Sequence, residues 1–351
     1  MTDGFLRYYK QERINLDCEV VTPMFLGGAD QSAQWRAAPF KAALRKWWRV
    51  LQGPQKSWKD LLAEEGDIFG LAGEEGDSGK SRIKVCVSSA AQAVSTQIPK
   101  GKTLQHPECE RSRHQVAALP YLGGMGIMKP SGEVKHSYFI PRSAFTLGLS
   151  FPSARIEMVG SILKLMRIFG TVGARSRNGW GSFGFTQPAD MPGSFTVKNW
   201  ELLLEKDYPS SIGKDQKSPL VWRTAGQQSW ESAMADLAEA YIGVRAQELG
   251  QDKKLDPGSG KASTRHLLGI PLTSHGTQFG NNARHASPLH FKIFKKSATY
   301  TGIILHLPHA HSSEQSFIDT DAQMEVWKIV HRKLDFQKNI ISRANLKELL
   351  A

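Results

Sequence analysis

From Ile14 to Thr22 the apolar Ile14, Leu16, Cys18 and Val20 alternate with polar Asn15, Asp17 and Glu19, the period-two signature of a half-buried strand. Pro23 and the pair Gly27–Gly28 break the pattern and predict a loop. Between Pro39 and Gly53 the spacing becomes helical, with Leu44, Trp48 and Leu51 on one face and Lys41, Arg45 and Arg49 on another. A proline in the first turn and a glycine past the end suit the two termini of that helix. Arg82–Ser88 alternates again through Ile83, Val85 and Val87 and predicts a second strand. Residues 90–136 are rich in Gly, Pro, Gln and Ser without a clear period and read as a long insertion. Ser137–Phe151 has extended, aromatic-rich character, and Ala154–Phe169 carries a helical stripe of Ile162, Leu165, Met166 and Phe169. After a glycine-rich loop, the run SFGF ending at Phe185 predicts a short last strand. Strand–helix–strand–strand–helix–strand is the split βαβ order of a ferredoxin-like unit.

The stretch Gln187–Gly193, with Pro188 and Pro192, marks the expected boundary between a unit at 1–190 and another at 191–351. Beyond it, Trp230–Leu249 is amphipathic, with Trp230, Leu237, Tyr241 and Val244 near one face. Pro288–Phe294 and Gly302–Leu307 read as strands, Ala322–Leu350 as largely helix, and the polar, glycine-rich residues 250–286 as a loop. Helix, two strands and helix suggest a second unit of the same kind, although no repeat aligns residue by residue.

Charge sharpens this picture. The 351 residues carry 45 Lys and Arg against 33 Asp and Glu, a formal charge of +12. Three tracts, 31–59, 158–189 and 258–313, contain no acid at all; their 117 residues carry +17 and the other 234 carry −5. Mixed surfaces intersperse both signs, so acid-free tracts of this length point to a polyanionic partner. Trp35, Trp47, Trp48, Trp58 and Trp180 lie in the same tracts. Cations with aromatic faces suit nucleic acid better than a membrane, although the same tryptophans fit a core equally well. No uncharged apolar run approaches the ~18 residues of a membrane span. Three scattered cysteines and an opening segment without an apolar core predict a cytoplasmic protein.

Several motifs fail. GEEGDSGKS at 73–81 has Glu74 where a phosphate-binding P-loop needs glycine, and it precedes a strand rather than a helix. Gly179-Trp-Gly181-Ser-Phe-Gly184 spells a dinucleotide fingerprint but leads to a strand and Pro188, so no helix N-terminus receives a pyrophosphate. His306, His309 and His311 with Glu314 lack a second ligand pair and read as a surface loop; His106, Cys109 and His114 also fail as a metal set. No cofactor or metal is expected. The loop GTVGARSRNGWGS at 170–182 is more informative. Gly170, Gly173, Gly179 and Gly181 permit positive φ and close backbone approach, Arg175 and Arg177 attract phosphate, and Trp180 is available to stack. The row Lys41, Arg45, Arg49 has no glutamate at i±4, which leaves its charge for an external partner.

TPMFLGGADQ, Arg36, KAALRKWWRVLQG, DIFGLAG, GTVGARSRNGWGSF and ASPLHFKIF follow one another in an order that resembles the first RAMP-type subunit of the Cmr complex, the type III-B CRISPR–Cas effector. The resemblance spans roughly residues 14–295. It implies an α+β fold of two ferredoxin-like, RRM-related domains with long loop insertions. It further implies a non-catalytic role: binding guide RNA near its 3′ part and target RNA, beside other RAMP subunits. Carried onto this chain, the resemblance gives Arg45, Arg49, Gly170, Gly173, Arg175, Arg177, Gly179 and Gly181; Arg36, Lys41, Trp180 and, in the loop before ASPLHFKIF, Arg284 complete the expected RNA-binding set from the basic tracts themselves. The family's Ser, Arg and Gly at the start of the basic helix are here Pro39, Lys41 and Ala42. A different reading is a RAMP-type, metal-independent endoribonuclease of CRISPR repeat RNA, with His106, His114 or His136 moving protons. A purely structural bridge between protein neighbours is a third.

Overall fold

The computed structural model describes residues 10–28, 30, 32–71, 79–89, 93–110, 113–128, 133–185, 191–249, 264–269, 285–311 and 320–350. Strand β1 (Gln11–Val20) follows from the alternation: Leu16, Cys18 and Val20 are buried, while Asn15 and Asp17 face solvent. Helix α1 (Ala37–Gln52) buries Phe40, Ala43, Leu44, Trp47, Trp48 and Val50. A second helix, α2 (Trp58–Phe69), is capped by the Ser57 hydroxyl, which accepts from the Asp60 amide; the expected order of elements does not include it. Strand β2 (Lys84–Ser88) then leads into the insertion.

That insertion is not featureless. It holds β3 (Val94–Ser95), the hairpin β4 (Thr103–Gln105) and β5 (Gln115–Ala117), and the short helix α3 (Ala118–Gly123), and returns through β6 (Tyr138–Phe139), which pairs with β3. Strand β7 (Ala144–Pro152), helix α4 (Ile156–Phe169) and β8 (Phe183–Phe185) complete the first unit. Its sheet runs β2-β7-β1-β8 with every pair antiparallel; Leu16 lies opposite Leu147, and Cys18 opposite both Phe145 and Phe185. The crossover helices α1 and α4 pack against each other over this sheet.

The second half opens with a parallel pair, β9 (Val197–Asn199) and β10 (Ile212–Lys214). It continues through β11 (Val221–Thr224), α5 (Trp230–Ile242), β12 (Leu289–Lys296), β13 (Thr299–His306), α6 (Thr320–Phe336), β14 (Ile341–Arg343) and α7 (Leu346–Leu350). Its sheet runs β12-β13-β11-β14, all antiparallel, which repeats the strand order of the first sheet. Two local expectations change here. The segment Ala322–Leu350 is interrupted because Ile341–Arg343 pairs with Trp222–Thr224, so sheet pairing overrides the helical pattern. Helix α5 ends at Ile242, and the chain coils on to Glu248 as a π-helix.

The protein is thus mixed α/β, built from several small and mostly antiparallel sheets. Its hydrophobic cores are shared between the halves. Val221, Ile303, Leu305 and Leu307 join the core of the first sheet, and Val21, Phe25 and Trp180 join that of Trp222, Trp230 and Phe291. Among the described residues no helix is long and apolar enough to cross a membrane.

Candidate nucleic-acid interface

The glycine-rich loop connects α4 to β8 and is fastened on several sides by backbone. Val172 donates to the Gly181 carbonyl at 3.0 Å, Ala174 to Phe25 at 3.1 Å, and Gly181 to Pro23 at 2.9 Å. Phe291 of β12 donates to the Arg177 carbonyl at 2.8 Å, which docks the loop on the second half. Gly173, Gly179 and Gly181 have φ of 93°, 86° and 64°, whereas Gly170 is extended at −72° and uses no left-handed conformation. The close approaches are internal. A Cβ at Gly173 would stand 2.4 Å from the Phe25 carbonyl oxygen, and one at Gly181 only 1.8 Å from that of Val172. Gly173 and Gly181 therefore bring protein backbone close against the loop, and Gly179 makes room for the Met234 side chain.

Trp180 corrects the sequence reading. Its indole is 0% exposed, edge-on to Phe25 and Trp230, so it cannot stack on a base. Its neighbours in the loop behave differently. Arg175, in the left-handed region at φ 55°, and Arg177 are both exposed, and neither makes an ion pair or a side-chain hydrogen bond among the described residues. Crowding by protein atoms pulls both guanidinium pKa values below the ordinary arginine value; for Arg175 the nearby Arg245 adds to this.

The basic row on α1 is less free than its spacing suggests. Glu65 of α2, 1% exposed, accepts from Arg45 Nε at 2.9 Å and from Arg49 Nη2 at 2.7 Å. Burial alone would raise the Glu65 pKa, but hydrogen bonds from Arg49 and Arg45 outweigh it and hold the carboxyl below its usual value. The partner lies 16 and 20 residues away in sequence, beyond any i±4 search. The cluster keeps one net positive charge. Lys41 is half-buried, and its pKa is lowered by desolvation and by Arg45. Arg36 is exposed and spends Nη1 on the Gly27 carbonyl at 2.8 Å. Arg284 lies outside the described residues.

A group that the spacing does not flag sits beneath Arg177. Lys46 of α1 lies 2.9 Å from Nδ1 of His290, the first half meeting the second. Burial, with the Arg177 charge added, drives Lys46 and His290 well below their normal pKa values. His285 falls to about 3 and His309 to about 4 for the same leading reason. His285 and His309 are therefore neutral near pH 7, and Arg177 stands exposed above them. The histidines after β13 are not in a surface loop: His306, His309 and His311 are all buried, and Glu314 lies outside the described residues. Among the described residues no group of three His, Cys, Asp or Glu could hold a metal ion.

Of the other tryptophans, Trp47 and Trp48 are core residues and Trp35 stacks on Phe139 at 3.8 Å. Trp58 is 48% exposed, beside Tyr208 and Arg49. His106 and His114 are joined by backbone across the β4–β5 hairpin, and no hydrogen bond among the described residues links either to His136. Burial holds His106 below its usual pKa.

Residues 17–184 match the model of the RAMP superfamily. No curated protein sequence matches the chain. Among solved structures, the chain is similar to Cmr1 from Pyrococcus furiosus in its apo form. That match has 16% identity and a TM-score of 0.53, and covers 94% of this chain and 98% of that one. It is also similar, at 12% identity and a TM-score of 0.45, to a chain of a type III-B Cmr-beta complex bound to cognate target RNA, covering 93% and 100%. A chain of a type IV-B CRISPR complex matches at 12% identity and a TM-score of 0.31, covering 54% and 96%. The Pyrococcus comparison shows a shared fold.

Proposed function

On the premise that residues 17–184 carry a RAMP-superfamily unit, we propose that this protein is a non-catalytic RNA-binding subunit of a type III-B CRISPR effector. In that role it sits beside other RAMP subunits in the cytoplasm, holds the 3′ region of the guide RNA and helps capture target RNA for antiviral defence. We read the two sheets as ferredoxin-like domains, residues 1–190 and 191–351. The support is that each unit runs βαββαβ and each sheet shows the same strand order, with its first and third strands central.

One observation carries the RNA reading. Arg175 and Arg177 stand exposed on a loop held rigid by backbone bonds, without a carboxylate partner among the described residues. Fixed guanidinium groups without an internal counter-charge are suited to phosphate, and a rigid loop lowers the ordering cost of binding. The α1 row adds weaker charge, because Glu65 neutralises one of its two arginines. The experiment is a salt titration of single-stranded RNA binding. For Arg175→Ala with Arg177→Ala, the log–log slope is expected to fall by about 0.7 for each phosphate that the protein no longer neutralises. An unchanged slope removes the loop from the interface. Cleavage of repeat RNA by the pure protein in chelator would overturn the non-catalytic part.

A further inference from the structure

An open groove of about 1380 Å³ lies where the two halves meet, away from the glycine-rich loop. Its walls are β1, the chain entering β7 at Arg142 and Ala144, the last two turns of α4, β8, the segment 193–197, the β12–β13 turn and α7. The volume exceeds the roughly 300–1,000 Å³ of a small-molecule pocket and suits a segment of polymer. Six cations line it against two carboxylates, Asp17 and Glu19. Three of the six are committed: Lys164 to the Gly193 carbonyl, Arg167 to that of Leu350, and Lys295 to Glu19. Arg142, Lys296 and Lys347 are exposed, with no ion pair or side-chain hydrogen bond among the described residues. Half-buried Phe195 and Phe294 line the same groove.

We propose that this groove is a second RNA-binding site, one that takes an unpaired segment of three or more nucleotides. The inference rests on the reading that the chain binds RNA, and it adds a site which that reading did not include. Free cations at the rim neutralise phosphates, and phenyl faces offer stacking to any base, the combination that single strands require. A duplex keeps its bases paired and stacked inside, so it reaches the cations but not Phe195 and Phe294. An acidic peptide would use the cations and leave the rings idle. The loop docks on β12 at Phe291, and the groove begins three residues further on, at Phe294. Phe291 and Phe294 pack toward opposite sides of that strand, so the groove is a site separate from the loop.

The test compares full-length variants binding single-stranded and duplex RNA of equal length across a salt series. Arg142→Ala, Lys296→Ala and Lys347→Ala together are expected to lower the single-strand slope by roughly 2, at about 0.7 per neutralised phosphate. Phe195→Ala is expected to weaken single-strand binding about 5- to 100-fold and to leave duplex binding unchanged, with Phe195→Tyr retaining affinity. Thermal melts of each variant report folding, and the exposed Arg142, Lys296 and Lys347 substitutions carry the test if Phe195→Ala unfolds. A wild-type slope in the triple variant overturns the groove site but leaves the loop reading standing, provided that Arg175→Ala with Arg177→Ala lowers the slope. Displacement of RNA by polyglutamate of matched charge, with Phe195→Ala silent, assigns the groove to an acidic protein segment and also overturns the proposal. A wild-type protein without RNA affinity removes both.

Discussion

Gly181 shows how one residue can carry a motif for a reason other than ligand binding. Its φ of 64° lies in the left-handed region, and a Cβ there would stand 1.8 Å from the Val172 carbonyl oxygen. Gly181→Ala therefore combines backbone strain with a clash against backbone that cannot swing away. A loss of stability on the order of 3 kcal/mol is expected in a urea melt. A loss below about 0.5 kcal/mol, the range of an ordinary surface change, would show that the loop can open without cost. Trp180 beside it makes the same point in side-chain form, because its value lies in filling the joint between Phe25 and Trp230. Arg175 and Arg177 are the residues of this loop that project into solvent, which is why the functional reading narrows to them.

At the scale of elements, α1 and α2 are joined by the buried Glu65 with Arg45 and Arg49. Glu65→Gln keeps the shape of the side chain but removes its charge, so the arginines lose their charge-assisted bonds. The expected cost is about 1–3 kcal/mol, toward the lower end because both arginines are partly in water. The same variant releases a positive charge on the α1 face. RNA affinity in low salt is therefore expected to hold or rise while the melting temperature falls. A drop in affinity together with stability would mean that the carboxylate positions the arginines for RNA. Strand β12 is the other decisive element: it receives the glycine-rich loop through Phe291, sets His290 against Lys46, and reaches the groove through Phe294.

At the scale of the whole molecule, buried histidines of the second half set the response to acid. Burial holds His285 to about 3, His309 to about 4 and His331 to about 3. In the unfolded chain each protonates near 6.5, so between that pH and about 4 the unfolded state binds more protons and stability falls as pH falls. At pH 5 each histidine costs up to about 2 kcal/mol relative to pH 7 and above. Urea melts at pH 7 and pH 5 measure the sum, and a flat profile would mean that the histidines are charged in the fold. The sequence by itself determined the four sheet strands of the first unit with α1 and α4, though not α2, most of the elements of the second unit, the acid-free tracts, and the candidate loop. Those features depend on neighbours within one or two turns or one strand, where spacing alone decides which face a side chain takes. Only the tertiary structure decided that Arg45 and Arg49 are paired, that Trp180 is buried, that the histidines after β13 lie inside, and that a cationic groove with phenylalanine walls exists. Each of these depends on segments far apart in the chain, and periodicity within one segment carries no information about what another brings against it.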